Sequence, residues 1–244
     1  MKVYIIPVGR LRLPDKGHMT PGLDVGTPID MPVYCYLIEH EKCLTLIDTG
    51  VDHNGVVSFV EEEQDIVSQL DKLGYAPSDI NYVIMTHLHV DHAAYMSSFP
   101  DSTFIVRKEE MRAAWWPEKC EGGYAYWQYK DTRDFDFMCL PDDVDYDMFG
   151  DGKVILTDTR GHTRGHQSIV LKLDSGERVI ITGDATSLRD NLEKKIQPGV
   201  CTNNWDALCS IQKIRHYQQM GYTVWFGHEP SQEAELKLAP EFYE

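Results

Sequence analysis

Apolar positions along the chain fall into short runs separated by polar, glycine-rich or proline-rich turns, the pattern of strands and helices that alternate. Residues 3–8, 33–39 and 43–48 read as strands, with a polar loop over 14–30 and a short turn at 39–42 between them. An amphipathic helix is predicted over 61–73, where Ile66, Leu70 and Leu73 share one face and Gly74 is placed to cap the end. Glu61, Glu62, Glu63 and Asp65 at its start favour the helix dipole. Residues 82–85 form a further apolar run, Thr103–Arg107 a strand, and 153–158, 168–173 and 178–183 a second set of strands. A helix over 204–220 carries Ala207, Leu208, Ile211 and Ile214 at core spacing and stops at Gly221, and the acidic tail after Pro230 is expected to pack on the outside. Strands and helix followed by strands and helix again predict an α/β fold of the αββα kind, two mixed sheets face to face with helices outside.

Length and composition change this picture little: 244 residues, 42% hydrophobic and 25% charged, suit one domain over 1–244 with a sizeable core. No signal peptide is expected, and no apolar run approaches the length of a membrane helix. Cys35, Cys43, Cys120, Cys139, Cys201 and Cys209 are scattered without a CxxC pair, which points to a reduced cytoplasmic setting. Charge excludes more. With 23 Lys and Arg dispersed among 39 Asp and Glu, the formal charge is −16, and nucleic acid, which needs a basic track, is a poor partner. Asp142, Asp143, Asp145, Asp147 and Asp151 lack the order of a calcium loop and read as a solvated turn.

Chemistry concentrates behind the run at 82–85, in Thr86-His87-Leu88-His89-Val90-Asp91-His92. His87 and His89, two residues apart, project the same way from a strand end, while Asp91 and His92 are expected to open the next helix. Neutral imidazole and carboxylate are ligands that suit zinc and related first-row metals. Three more candidates follow in glycine turns or just past apolar runs: His162 in Gly161-His162-Thr163-Arg164-Gly165-His166, Asp184 after 179–183, and His228 after 224–227.

This set resembles the metallo-β-lactamase superfamily, and in particular the N-acyl homoserine lactonases. The likeness extends to the stretches 4–10, 31–37, 47–50, 165–168 and 226–228 and covers nearly the whole chain. It implies a dinuclear zinc hydrolase that opens the lactone ring of N-acyl homoserine lactones, a quorum-quenching reaction, by attack of a metal-bridging hydroxide. His87, His89 and His162 would hold one zinc, Asp91, His92 and His228 the second, and Asp184 would bridge them, with cobalt, manganese or iron as alternative metals. Asp91 and Asp184 would be catalytic, Asp91 carrying a proton to the leaving alkoxide. Asp48 would support the histidine loop from behind and His166 would buttress the site without touching metal. The expected partner is a small-molecule lactone, with no nucleic acid and no membrane, in a monomer or homodimer.

Two departures from the family stand out. Ser187 occupies the place of a tyrosine that hydrogen-bonds the substrate carbonyl, and Ala94 and Tyr95 replace two glycines. Ser187 and, as replacements for the missing phenol, Tyr124 and Tyr126 are therefore the candidate substrate-binding residues. The last two belong to an aromatic stretch over 111–138, a candidate wall for an apolar tail or else a helical excursion packed on the core. His18, His40, His53 and His216 have no partner motif and are assigned no role. A glyoxalase II-like thioester hydrolase, or a hydrolase of another lactone, would share all seven ligands. A redox di-iron protein on this fold would need a carboxylate at His89, and a non-enzymatic binding protein would be expected to have a broken ligand set.

Overall fold

In the computed structural model, which describes residues 1–52, 58–61 and 64–244, the strands assemble into two sheets. The larger contains β1 (Lys2–Leu13), β2 (Ile29–His40), β3 (Cys43–Ile47), β4 (Ser58–Phe59), β5 (Tyr82–Ile84), β6 (Thr103–Arg107) and β7 (Asp136–Leu140), in the order β4-β1-β2-β3-β5-β6-β7. The smaller contains β8 (Tyr146–Asp147), β9 (Val154–Asp158), β10 (Gln167–Lys172), β11 (Arg178–Ile181) and β12 (Thr223–Trp225), in the order β12-β11-β10-β9-β8. Both are mixed. β1, β2 and β3 pair antiparallel while β3, β5, β6 and β7 run parallel. In the smaller sheet β12 joins β11 in parallel and the other pairs are antiparallel.

Side chains alternate across each strand, and both faces of the larger sheet are buried. Val3, Ile5, Tyr36, Ile47, Ile84 and Ile105 meet Leu156, Ile169, Ile181 and Trp225 of the facing sheet. Their neighbours Ile6, Leu37, Leu46, Val83 and Phe104 point the other way, where α1 (Ile66–Lys72) supplies Ile66 and Leu70 and α2 (Lys108–Trp115) supplies Ala114. A short α3 (Tyr126–Tyr129) follows. On the far side, α4 (Arg189–Lys194) and α5 (Asn204–Gln219) lay Leu192, Ile211 and Ile214 on Val170, Ile180 and Val224. The result is the αββα sandwich expected from the sequence.

Several boundaries differ from expectation. α1 begins at Ile66 because the Asp65 carboxylate caps it, accepting from the Val67 and Ser68 amides at 3.0 and 3.1 Å. Glu62 and Glu63 of the acidic run, like His53, lie outside the described residues. No helix opens at Asp91 and His92: the His92 carbonyl accepts the Thr49 amide at 2.7 Å, and the segment runs as turns into a single 3-10 turn at Met96–Ser98. β1 and β2 outrun the predicted strands, pairing from Lys2↔Glu39 to Leu13↔Ile29 with an irregularity between Pro7 and Gly9. Leu208 is partly exposed, whereas Ala207, Ile211 and Ile214 are buried as their spacing implies. The tail does more than cover the surface, since Leu236, Leu238 and Tyr243 pack on the core between the sheets. The Asp147 carboxylate accepts the Gly150 and Gly152 amides at 2.9 Å each, so the acidic loop is a turn held by its own side chain. Among the described residues no helix is long and apolar enough to cross a membrane.

Candidate active site

β9, β11 and β12 run the same way, as do β3, β5 and β6, and the candidate ligands lie past strand ends of these two sets. Residues 86–92 follow β5, His162 follows β9, Asp184 follows β11 and His228 follows β12. Topology thus gathers residues up to 141 positions apart into two buried groups: His87, His89 and His162, and Asp91, His92, Asp184 and His228. Within each group the ligand atoms lie within 4.8 Å of one another.

Distances inside the first group are those of atoms facing a common centre. His162 Nε2 stands 3.2 Å from His87 Nε2 and 2.9 Å from His89 Nδ1. Nitrogens each 2.0–2.1 Å from a tetrahedral zinc are about 3.3 Å apart. Asp184 spans both groups, with Oδ2 at 3.4 Å from His162 Nε2 and Oδ1 at 3.0 Å from His228 Nε2 and 3.7 Å from His92 Nε2.

The partner of each far ring nitrogen fixes which nitrogen is free. His162 Nδ1 donates to the Val200 carbonyl at 2.7 Å, His228 Nδ1 to the Pro32 carbonyl at 2.9 Å, and His92 Nδ1 to Asp48 Oδ2 at 2.7 Å. Thr86 Oγ1 donates to Asp48 Oδ2 at 2.7 Å and so accepts from His87 Nδ1 at 3.0 Å. In each of the four, Nε2 is left bare towards the centre. His92 Nε2, His228 Nε2 and Asp184 Oδ1 are moreover buried without any hydrogen-bond partner among the described residues. Buried polar atoms are rarely orphaned, and three that converge mark a place for a cation.

Electrostatics separates the groups. Burial, then neighbouring imidazoles, pushes the pKa values of His87 and His89 well below the ordinary range, which keeps these rings neutral and fit to bind metal. Burial acts the same way on His228, but Asp184 and Asp91 outweigh it and push the ring up to about 10. His92 is raised well above its usual value, since Asp91 and Asp48 overcome its burial. Burial disfavours the Asp91 carboxylate, yet His92 and His228 hold its pKa at about 2. The second group therefore demands positive charge, and a divalent cation can replace the protons these two imidazoles would otherwise hold.

Support for the ligands comes partly from residues the sequence indicated. Asp48 lies behind the histidine loop, with Oδ1 accepting the Thr86 amide at 2.7 Å. His166 stands outside both groups; its Nε2 accepts the Asp184 amide at 3.0 Å and its Nδ1 meets Thr159 Oγ1 at 2.9 Å. Glu110 was not legible at all. It stands beside Glu109 near the start of α2, a solvated face by its pattern, yet its carboxylate is buried behind the histidine loop. The Val200 and Pro32 carbonyls are equally invisible in sequence, because backbone acceptors carry no residue signature.

A cavity of about 160 Å³ opens on the two groups, lined by His89, Asp91, His162, Asp184 and Ser187 and rimmed by Leu11, Leu13, Met19, Val90, Pro198 and Val200. His18, assigned no role from sequence, lies on the same wall. Ser187 is fully buried and its hydroxyl has no partner among the described residues. Neither tyrosine joins it there. The Tyr124 hydroxyl donates to Glu110 Oε1 at 3.1 Å, and Tyr126 is 54% exposed beside Trp115. Trp115, Trp116, Tyr126 and Phe137 line a separate cavity of about 500 Å³ that includes none of the seven candidate ligands. The aromatic stretch is thus mainly an excursion with a pocket of its own. His40 pairs with Asp151 at 3.0 Å and His216 is exposed on α5, so neither approaches the site.

Known proteins are similar to this chain over most of its length. The family model for the metallo-beta-lactamase superfamily matches residues 28–222. The N-acyl homoserine lactonase AttM of Rhizobium radiobacter is 34% identical over 240 residues, covering 89% of each chain. A Bacillus N-acyl homoserine lactonase is 31% identical, covering 99% of this chain and 98% of its own. A solved N-acyl homoserine lactone hydrolase, with the product N-hexanoyl-L-homoserine at its catalytic metal centre, superposes with a TM-score of 0.88 at 30% identity, covering 99% of this chain and 98% of that one. By its match to the family model and its likeness to these proteins over nearly all its length, the chain belongs to the metallo-β-lactamase superfamily and, within it, to the N-acyl homoserine lactonase family.

Proposed function

We propose that this protein is a dinuclear zinc hydrolase, one domain over residues 1–244, that opens the lactone ring of N-acyl homoserine lactones. The observation that carries the reading is the Asp184 carboxylate, whose two oxygens face different buried ligand groups, Oδ2 at 3.4 Å from His162 and Oδ1 at 3.0 Å from His228. His87, His89 and His162 would hold one cation and Asp91, His92 and His228 the other. When bound, such a pair supplies Lewis acidity towards a carbonyl oxygen and lowers the pKa of water towards neutrality. Six free cysteines support a reduced, cytoplasmic setting.

Hydrolysis joins hydroxide to the lactone carbonyl carbon, breaks the ring C–O bond and leaves an alkoxide that takes up a proton. Asp91 is the residue for that proton. Its Oδ2 faces His228 at 3.3 Å and His92 at 3.6 Å, which leaves Oδ1 to carry the proton across the cavity. As the carboxylic acid forms, the proton brought in by the attacking hydroxide would pass to the Asp91 carboxylate and from it to the far more basic alkoxide, leaving the hydroxy acid as its carboxylate. Ser187, the one side-chain hydroxyl on the cavity wall among the described residues, is the donor left for the substrate carbonyl. The acyl tail would lie over Leu11, Leu13, Met19, Val90, Pro198 and Val200, which replace the aromatic stretch in that role. Turnover of a panel of acyl homoserine lactones and acyl thioesters by metal-loaded protein tests the assignment. Ring opening with little thioester cleavage is expected, and thioester cleavage without ring opening would overturn it.

A further inference from the structure

All seven candidate ligands lie beyond strand ends, and residues on connecting segments keep a metal geometry only if something holds those segments together. On one side of the site that something is a single buried carboxylate. Glu110 Oε1 accepts the Leu88 amide at 2.8 Å and the Tyr124 hydroxyl at 3.1 Å, while Oε2 accepts the Gly165 amide at 3.1 Å. Leu88 lies between His87 and His89, and Gly165 lies three residues after His162. The loop approaches α2 so closely that a Cβ on Gly165 would stand 2.3 Å from the Glu110 amide nitrogen, which only glycine allows.

Tyr124 extends the link to the third imidazole. Its ring meets that of His89 edge-on at 4.9 Å, and the Gly123 carbonyl before it accepts the Val90 amide at 3.0 Å. Gly123 itself, at φ +91°, lies so near the His89 ring that a Cβ would come within 2.7 Å. Glu121 fastens the same segment to the His162 loop through an ion pair with Arg164. Glu110 thus touches, directly or through Tyr124, the backbone or ring beside His87, His89 and His162. The ligands of the other group find their far-side partners elsewhere: His92 on Asp48 and His228 on the Pro32 carbonyl.

We propose that Glu110, acting with Tyr124, is a positioning residue for the three-histidine group, setting its affinity for a cation without acting on the Asp91, His92 and His228 group. The inference rests on the two-cation reading above. Titration of metal-free protein with cobalt, followed by calorimetry and by the visible absorption of each bound ion, tests it on wild type, Glu110→Gln and Tyr124→Phe. Wild type should take up two ions. Glu110→Gln turns an amide nitrogen towards either the Leu88 or the Gly165 N–H, and should weaken one ion by about 10–100-fold while the other changes by less than about threefold. Tyr124→Phe keeps the ring on His89 and removes only the hydroxyl; the same ion should weaken by a smaller factor, about threefold to tenfold, with its absorption band altered and the other band unchanged. Should Glu110→Gln fail to fold, Tyr124→Phe decides by the same criteria. Wild-type binding of both ions in the folded variants, or equal weakening of both with a lower melting temperature of the metal-free protein, would overturn the proposal. Fewer than two ions on wild type would instead overturn the two-cation reading, and this inference with it.

Discussion

Ser187 is the residue proposed to hold the substrate carbonyl. A serine hydroxyl buried without a partner among the described residues is free to bond water or substrate, and no tyrosine among the described residues lines the cavity to replace it. Ser187→Ala should lower kcat/KM by about tenfold, about 1.4 kcal/mol of transition-state stabilisation, and leave the bound metal unchanged. Steady-state kinetics with metal analysis of the same sample checks both halves, and lost metal would show that the hydroxyl serves the ligands instead. Asp184→Asn presents a stronger contrast, because it removes a charge and turns an amide towards bare imidazole nitrogens. Activity should fall by at least about a hundredfold, as it does when a group acting at the reacting centre is lost. His216→Ala, on the exposed face of α5, should match wild type, and equal losses in the two variants would contradict the site. At this scale the two buried groups of candidate ligands were legible because imidazoles and carboxylates at fixed spacing have few other uses. Glu110 was not, since a glutamate near a helix start reads as solvated until the fold buries it.

Strands were legible where both faces of the larger sheet are buried, as at Val83 and Ile84, because continuous apolar runs then mark them. The segment after Asp91 was not: its helix is lost to cross-connections with residues 49 and 50, among them the Thr49 amide on the His92 carbonyl and the Ala94 amide on the Gly50 carbonyl, that no local pattern announces. The turn between β9 and β10, which carries His162, is held by one local and one non-local partner of Asp158. Asp158 accepts the amides of Arg160 and Asp143 at 2.9 Å each and pairs with the Arg160 guanidinium. Burial alone would raise its pKa, but Arg160 and the two amides outweigh it and bring the carboxyl from 3.8 down to about 2. A carboxyl depressed in the folded state stabilises it fully above the ordinary pKa and loses that contribution as the pH falls through the lower one. Asp158→Asn should therefore cost about 2 kcal/mol at pH 7. The gap from wild type should narrow as the pH drops from 3.8 towards 2, as denaturant unfolding at a series of pH values can measure. A gap independent of pH would mean that the ion pair adds nothing beyond neutral hydrogen bonds.

Taken whole, the molecule is a strongly acidic chain, formally −16, that buries seven candidate ligands where two sheets present their strand ends. Two divalent cations would offset about four of those charges, and they would do so where Asp91 and Asp184 lie against orphaned nitrogens. Metal binding should accordingly stabilise the fold by mass action, and a chelator should lower the melting temperature. Calorimetric scans with and without chelator check this, and identical melting would contradict it. The fold class was legible at this scale from the order of strands and helices. The closure of the core by Leu236, Leu238 and Tyr243 was not, since a short acidic tail gives no sign of the strand edge it meets. The most direct test of a two-cation lactonase is hydrolysis of N-hexanoyl homoserine lactone by metal-free protein titrated with zinc, with the hydroxy acid product measured at each step. Ring opening should rise with added zinc and level off at about two equivalents per chain. Full activity at one equivalent, or two ions bound with no ring opening, would contradict it.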